Sequence, residues 1–139
     1  MTDKKRVDVA IALVWRDLRL LISRRRQGEH LAGFWEFPGG KIEGGETPAA
    51  AAEREVLEEV GVVVHAEHER ALITHEYADR VVCLHPVDCR FQSGEAKAIE
   101  VAEVRWVRPS ELSSLKFPPA NATLIAELSS HAQGSSGLR

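Results

Sequence analysis

The 139-residue chain has only two cysteines, 6% aromatic residues and no long apolar segment. No apolar run approaches the roughly 20 residues that a helix needs to cross a bilayer, so we expect no contact with a membrane. The first six residues are mostly polar or basic and lead straight into an apolar segment with no small-residue cleavage site. We therefore expect no signal peptide and a cytoplasmic protein.

An excess of positive charge is also absent, because 18 Lys and Arg residues face 21 Asp and Glu residues and the net charge is −3. Proteins that bind nucleic acid polymers need positive charge to displace counterions from phosphates. We therefore expect no nucleic acid polymer as a partner. The sequence leaves the oligomeric state open, with a monomer as the expectation.

The two cysteines, Cys83 and Cys89, lie in one segment that is predicted to be extended. Six residues of strand separate their Cα atoms by about 20 Å, which is too far for a disulfide. We expect two buried free thiols.

The composition, with 44% hydrophobic and 28% charged residues, is typical of one globular domain. We predict this domain over residues 1–132, with a flexible tail at 133–139. Apolar and β-branched segments predict strands, and helical patterns predict two short helices near the C-terminus. The predicted fold is α+β with a mixed β-sheet flanked by helices. The strands are Val7–Trp15, Leu18–Ser23, Phe34–Phe37, Val62–Val64, Ala71–Glu76, Val81–Phe91 and Val104–Val107, and the helices are Ser110–Leu115 and Ala120–Ser130.

Three local features of the sheet are also predicted. The polar pair Arg16–Asp17 is expected to form a hairpin turn between the first two strands. Gly39 and Gly40 are expected to adopt positive φ values at the end of the aromatic strand. Pro86 cannot donate to a strand ladder, so it is expected at a sheet edge or a bulge.

The strongest helix signal begins at Thr47, a favourable N-cap residue, and continues with Pro48 in the first turn. Gly61 is expected to end this helix. At 100° per residue, Glu55, Glu58 and Glu59 share an arc of about 100°, and Glu53 points away from it. The small and apolar residues of the helix occupy a separate arc that would pack on the sheet, and they are Ala49, Ala52, Val56 and Val60.

Like charges at this spacing repel one another, and acids are unfavourable in the last turn of a helix. The three glutamates are therefore expected to bind a divalent cation, and all-oxygen ligands favour Mg²⁺ or Mn²⁺. A solvated acidic face is the alternative. Arg54 either forms an ordinary helical ion pair with Glu58 or orients a carboxylate of the metal site.

These residues resemble the Nudix box, G-x5-E-x7-R-E-U-x-E-E-x-G-U, in which U is aliphatic. Gly40, Glu46 and the segment 54–62 fit the pattern without a departure. The resemblance implies an α/β/α sandwich that hydrolyses a nucleoside diphosphate linked to another group, with Mg²⁺ or Mn²⁺ as cofactor.

Further segments resemble the MutT type of this family, and they are Arg24–Arg25, His30, Trp35–Glu43, Asp79–Arg80 and Phe117–Asn121. The resemblance implies hydrolysis of 8-oxo-dGTP and 8-oxo-GTP to the monophosphate and pyrophosphate, which keeps oxidised nucleotides out of DNA replication. A pyrophosphohydrolase for CTP or an oxidised pyrimidine nucleotide is the alternative. A non-catalytic module that senses nucleotides is a further alternative, although such a module would be expected to have lost box acids.

The resemblance also implies a metal-ligand set. Its members are the Gly39 carbonyl and the carboxylates of Glu55, Glu58, Glu59 and Glu100. Glu103 competes with Glu100 for the last place, and Glu46 and Arg54 would support the loop and the helix. The general base, which is Glu55, Glu59 or Glu100, and the number of metal ions stay open.

The implied nucleotide contacts come from several segments. Arg25 and His30 resemble residues that contact the nucleotide, and Arg80 would lie against the purine. The segment Glu36, Phe37, Pro38 and Gly39 would offer backbone groups. Asn121 would bond O6 and N7–H of 8-oxoguanine through its amide, or alternatively cap the last helix.

Overall fold

Eight strands form one mixed sheet in the computed structural model, which describes residues 4–134 and side chains up to Ser130. Their order is β3-β2-β1-β7-β5, with β4 beside β1, β6 beside β7 and β8 beside β2. β1 and β7 are parallel and the other pairs are antiparallel, which confirms the predicted mixed sheet. The bounds are β1 Lys5–Arg16, β2 Arg19–Arg24, β3 Trp35–Glu36, β4 Gly39–Lys41, β5 Val63–Glu69, β6 Ile73–Glu76, β7 Arg80–Ser93 and β8 Glu103–Val107.

One layer of helix covers each face of the sheet. Helix α1 (Pro48–Val60) buries Ala51, Ala52, Val56 and Val60 against one face. Helix α2 (Ala122–Gly134) buries Leu124 and Leu128 against the other. This arrangement confirms the α/β/α sandwich, and it separates the core into an α1 face and an α2 face of the sheet.

Both ends of α1 lie where the sequence predicts them. The Thr47 hydroxyl accepts a hydrogen bond from the Ala50 N–H at 3.1 Å, which satisfies one donor of the first turn. Gly61 ends the helix with a φ of 75°, in the left-handed region that glycine adopts without steric cost. The caps therefore fix where α1 begins and ends, and hence which residues form its last turn.

The prediction of positive φ values at Gly39 and Gly40 is wrong, because both residues belong to β4 and pair with β1. Lack of a side chain matters here for another reason. A Cβ at Gly39 would overlap the backbone carbonyl of Ala10, and a Cβ at Gly40 would lie 2.6 Å from the carboxylate of Glu55. The missing side chain of Gly39 thus allows β4 to lie close to β1, and that of Gly40 allows α1 to lie close to β4.

Two further details of the sheet differ from the predictions. The first hairpin turns at Asp17 and Leu18, with φ values of 51° and 66°, because β1 continues through Arg16. Pro86 lies at neither an edge nor a bulge. It occurs inside β7, opposite Ile11 of β1, at the point where β7 passes from its pairing with β6 to its pairing with β5.

The C-terminal helices are shifted from their predicted positions. The first is a 3-10 helix over Pro109–Ser114, and a second 3-10 turn, Pro119–Asn121, precedes α2. Gln133 and Gly134 of the predicted tail belong to α2, and residues 135–139 lie outside the described part of the chain. Within residues 4–134, none of the helices has the length and apolar character needed to cross a membrane.

The two cysteines are buried free thiols on β7, as predicted. Burial raises the pKa of the Cys89 thiol to about 12. This thiol is therefore protonated, and hence unreactive, near neutral pH.

Neighbouring residues of α1 allow a test of its packing. Val56 is fully buried, whereas Leu57 is 52% exposed. We expect Val56→Ala to lower the free energy of unfolding by about 2–3 kcal/mol, because buried methyl groups are lost and a cavity is left. Leu57→Ala removes more carbon atoms, yet we expect a change of only about 0.5 kcal/mol. Urea denaturation measures both, and equal losses would contradict the packing described.

Candidate functional site

The acidic arc of α1 faces the short strand β4. The carboxylate of Glu55 lies beside Gly40, close enough that any side chain at that position would meet it. Glu53 is directed elsewhere, because its carboxylate accepts a hydrogen bond from the Ala66 N–H of β5 at 2.8 Å. The sequence separated Glu53 from the other acids correctly, and the structure adds that it fastens α1 to the sheet.

Arg54 is the cation at the centre of these acids. Its guanidinium donates to both oxygens of Glu46, at 2.6 and 3.0 Å, and to Glu55 at 2.9 Å and Glu58 at 3.2 Å. It also donates to the Lys41 carbonyl at 3.2 Å. The hydrogen bonds from Arg54 hold the pKa of Glu46 below its ordinary value. A planar group with five donors can bind this many acceptors at once, which lysine cannot.

Glu55 and Glu59 form a close pair of like charge. Burial, a hydrogen bond with Glu55 and the charges of Glu55 and Glu36 raise the pKa of Glu59 to about 9, while the backbone amide of Gly39 acts in the opposite direction. A proton therefore lies between the two carboxylates when no cation is present. Carboxylate oxygens of this kind are suitable ligands for a hard divalent cation, which would replace the proton.

The remaining acid of the predicted group stands apart from this pair. The side chain of Glu58 is half exposed and turned towards Arg54. In the part of the chain that the structure describes, no three His, Cys, Asp or Glu side chains are gathered closely enough to hold a metal ion as they stand. The residues thus fit a cation through Glu55 and Glu59, with Glu58 in the last turn of the same helix.

The structure distinguishes the two candidates for the late acid. The Glu100 N–H donates to the Glu59 carbonyl at 3.1 Å, so this residue lies against the end of α1 with its side chain exposed. Glu103 lies on β8 and forms ion pairs with Arg24 at 2.8 Å and Arg105 at 3.3 Å. Among the described residues, the Glu103 carboxylate is thus bound by two arginines, whereas the backbone of Glu100 adjoins that of Glu59.

Arg25, Glu36 and His30 meet beside the acids. Arg25 donates to the Glu36 carboxylate at 2.9 Å and to the His30 carbonyl at 2.6 Å, while the His30 side chain is exposed. Burial raises the pKa of Glu36 above its ordinary value, although the charge of Arg25 acts in the opposite direction. Arg25 thus neutralises a buried acid and shapes the loop that carries His30.

The other face of the sheet carries an aromatic and amide group. The rings of Phe37 and Phe117 lie 5.3 Å apart, and Asn121 is 7% exposed. Among residues 4–130, none forms a hydrogen bond with the Asn121 side chain, so the alternative of an N-cap is not supported. An amide presents both a donor and an acceptor, so a ligand that offers the complementary pair could bind the Asn121 side chain.

Arg80 and Pro38 complete the predicted set. Arg80, Val82 and Leu84 are every second residue of β7, so their side chains lie on the same face of the sheet. Val82 and Leu84 pack in the core on the α2 face, and the Arg80 side chain therefore lies on the same face as Asn121. Its guanidinium lies 4.6 Å from the Tyr77 ring centroid and pairs with Asp79. Pro38 is buried, and its carbonyl accepts from the Ala12 N–H. The segment 35–41 therefore borders both faces of the sheet.

Contacts between distant residues were not predictable from spacing. Examples are the hydrogen bond from Arg54 to the Lys41 carbonyl and the hydrogen bond from Arg26 to the Ile99 carbonyl. The latter two residues are 73 positions apart. No local feature of the sequence indicated the contact that Arg26 makes.

Comparison with known proteins identifies what this arrangement is similar to. A model of the NUDIX domain matches residues 9–127. The 8-oxo-dGTP diphosphatase of Haemophilus influenzae is 36% identical over 129 residues, which cover 91% of this chain and 93% of that protein. The CTP pyrophosphohydrolase of Escherichia coli is 31% identical over 121 residues, which cover 87% of this chain and 90% of that protein.

The fold is also similar to solved structures. The solution structure of the E. coli ORF135 protein superposes with a TM-score of 0.82 at 28% sequence identity. The superposition covers 98% of this chain and 96% of that one. Similarity in sequence and in structure therefore extends over nearly the whole chain.

The carboxylate pair predicts how stability depends on pH. The pKa of Glu59 is about 9 in the folded protein, against an ordinary value of 4.5, so the folded state binds this proton more tightly than the unfolded state. The contribution of Glu59 to the free energy of unfolding of the cation-free protein should therefore be present in full at about pH 5 and fall as pH rises to about 9. Urea denaturation in EDTA measures this fall.

Glu59→Gln should remove most of the fall, because glutamine does not titrate. Glu69→Gln, at an exposed position on β5, is the matched control and should leave it unchanged. An unaltered pH dependence in Glu59→Gln would show that the two carboxylates do not oppose each other.

Proposed function

The chain belongs to the Nudix family and is a Nudix hydrolase. From this membership and the geometry of the site, we propose that it hydrolyses 8-oxo-dGTP and 8-oxo-GTP to the monophosphate and pyrophosphate. The proposal places this activity in the cytoplasm, where it would remove oxidised nucleotides from the precursor pool. The observation that carries it is the carboxyl pair of Glu55 and Glu59 beside β4, in which Arg54 binds Glu55 and leaves Glu59 without a cation.

The proposed cofactor is Mg²⁺, with Mn²⁺ as a substitute. The ligands would be the Gly39 carbonyl and the carboxylates of Glu55, Glu58, Glu59 and Glu100. A bound divalent cation would neutralise phosphate oxygens and lower the pKa of a bound water molecule. The chain has retained every acid of the box, so the non-catalytic alternative has no support in its residues.

The residues of this chain would then divide the work of hydrolysis. Arg54 keeps Glu55 and Glu58 oriented, and Glu46 holds the loop before α1. Water attacks the β-phosphorus, and one carboxylate among Glu55, Glu59 and Glu100 accepts its proton. The bond from the β-phosphorus to the α–β bridging oxygen breaks, so the nucleoside monophosphate is the leaving group and the water oxygen becomes part of pyrophosphate.

Base recognition is assigned to the α2 face of the sheet. The Asn121 amide would accept the N7–H of 8-oxoguanine and donate to its O6, whereas unmodified guanine offers only an acceptor at N7. Backbone groups of Phe37 and Pro38, and the guanidinium of Arg80, would line the same pocket. Arg25, His30 and Glu36 would border the sugar and phosphates.

A second substrate class has one specific observation in its favour. The chain is 31% identical to a CTP pyrophosphohydrolase, which is close to its identity with the 8-oxo-dGTP diphosphatase. A cytosine also offers a donor, N4–H, beside an acceptor, N3, so the Asn121 amide alone does not separate the two bases. The substrate screen separates them.

A substrate screen tests the proposed function. Pyrophosphate release should be measured with Mg²⁺ for unmodified and oxidised nucleoside triphosphates, and kcat/KM compared. We expect 8-oxo-dGTP and 8-oxo-GTP to be the best substrates and Glu59→Gln to abolish release, with Glu69→Gln as the control. A highest kcat/KM for CTP or an oxidised pyrimidine nucleotide would overturn the substrate assignment.

Asn121→Ala provides the sharpest test of the base pocket. Loss of two hydrogen bonds should lower the preference for 8-oxo-dGTP over dGTP by about 10–100-fold, at about 1–3 kcal/mol for the interaction lost. Thr123→Ala, exposed on α2, should leave the preference intact. Mg²⁺ affinity should be unchanged in both variants, and an unchanged preference in Asn121→Ala would refute the assignment.

A further inference from the structure

The segment that carries Glu100 has little regular structure of its own. It runs between the end of β7 at Ser93 and the start of β8 at Glu103. Its position depends on contacts with two other parts of the chain. One is the end of α1, and the other is the basic segment Arg24–Arg26.

The end of α1 holds this segment by backbone hydrogen bonds. The N–H groups of Ile99 and Glu100 both donate to the Glu59 carbonyl, at 3.2 and 3.1 Å, and the Lys97 N–H donates to the Val60 carbonyl at 2.9 Å. These bonds also satisfy carbonyl groups that the last turn of a helix leaves without partners.

The basic segment holds it from the opposite side. The Ala102 N–H donates to the Arg24 carbonyl at 2.8 Å, and the Arg24 side chain pairs with Glu103 at 2.8 Å. The guanidinium of Arg26 donates to the Ile99 carbonyl at 2.6 Å. Since the donor is charged, this bond is stronger than one between neutral groups.

Together these contacts fix a single peptide plane. The peptide between Ile99 and Glu100 has its oxygen on Arg26 and its N–H on the Glu59 carbonyl. A planar peptide bonded at both ends cannot rotate freely about its chain axis. Its orientation sets the direction in which the Glu100 side chain leaves the backbone.

We propose that Arg26 is a positioning residue that holds the Ile99–Glu100 peptide and thereby directs the Glu100 carboxylate towards Glu59. This rests on the role of Glu100 in the proposed function. It gives Arg26 a role through the protein backbone, separate from the phosphate contact that a run of three arginines would suggest. Arg26 also links the loop bearing His30 to the acids, so the nucleotide-binding loop and the metal ligands are held together.

Removal of the guanidinium should weaken cation binding without weakening nucleotide binding. We expect Arg26→Ala to raise the Mn²⁺ dissociation constant, measured by electron paramagnetic resonance without nucleotide, by about 10-fold, as for other residues that orient metal ligands. kcat should fall by about 10-fold. KM for the nucleotide should change less than about twofold, and Arg26→Lys, which keeps one donor, should be intermediate. Arg19→Ala, an exposed arginine at the start of β2, is the control for loss of charge.

A double-mutant cycle separates this role from general stabilisation. If Arg26 acts through Glu100, Arg26→Ala should add no further loss in a Glu100→Gln background. Losses that multiply, or a raised KM at unchanged kcat and Mn²⁺ affinity, would overturn the proposal. Mn²⁺ binding by Glu100→Gln equal to that of the unmodified protein would overturn it as well. If Arg26→Ala does not fold, the same cycle with Arg26→Lys decides.

Failure of the proposed function would look different. Absence of pyrophosphate release from every nucleoside triphosphate would refute the function, whereas the Mn²⁺ comparison among these variants needs no substrate. The two results are obtained on the same protein preparations.

Discussion

Negative charge gathered at one end of α1 is the constraint on which the site depends. Arg54 reduces the repulsion between these carboxylates by neutralising part of the charge. Its guanidinium binds Glu46, Glu55 and Glu58 within 3.2 Å. Glu59 receives no such neutralisation, and its carboxyl keeps a proton near neutral pH because it is largely buried and Glu55 lies beside it. A divalent cation would supply the missing positive charge. A bound cation would relieve the repulsion between the two carboxyl groups in addition to gaining their oxygens as ligands.

The sheet divides the proposed chemistry into two regions. Acids that would serve the phosphates lie on the α1 face, whereas Phe37, Phe117 and Asn121 lie on the α2 face. The segment 35–41 passes between them, because Phe37 packs on one side and Gly40 abuts Glu55 on the other. A nucleotide that reached around this edge would place its base and its phosphates in different environments. Substrate selection and hydrolysis can then depend on different residues.

Local signals predicted the elements that have strong end markers. Thr47 and Gly61 fixed the bounds of α1, and the apolar segments located every strand of the described sheet except β4. The helical period also placed Glu55, Glu58 and Glu59 on one surface, separate from Glu53. Their resemblance to a known motif assigned chemistry to them, which the period alone could not do, because a solvated acidic face has the same spacing.

Features that depend on distant neighbours were missed. Gly39 and Gly40 lack side chains because Ala10 and Glu55 approach them, and nothing in the adjacent sequence distinguishes this from a need for positive φ. Pro86 is accommodated inside the sheet only because β5 and β6 meet β7 on either side of it. The different surroundings of Glu100 and Glu103 likewise depend on the fold.

The most direct measurement of the central claim is a crystal structure with Mn²⁺ and a non-hydrolysable nucleoside triphosphate analogue. The account predicts an anomalous difference peak for Mn²⁺ between the carboxylates of Glu55 and Glu59, next to phosphate oxygens of the analogue. A bound analogue with no metal peak between these two carboxylates would contradict it.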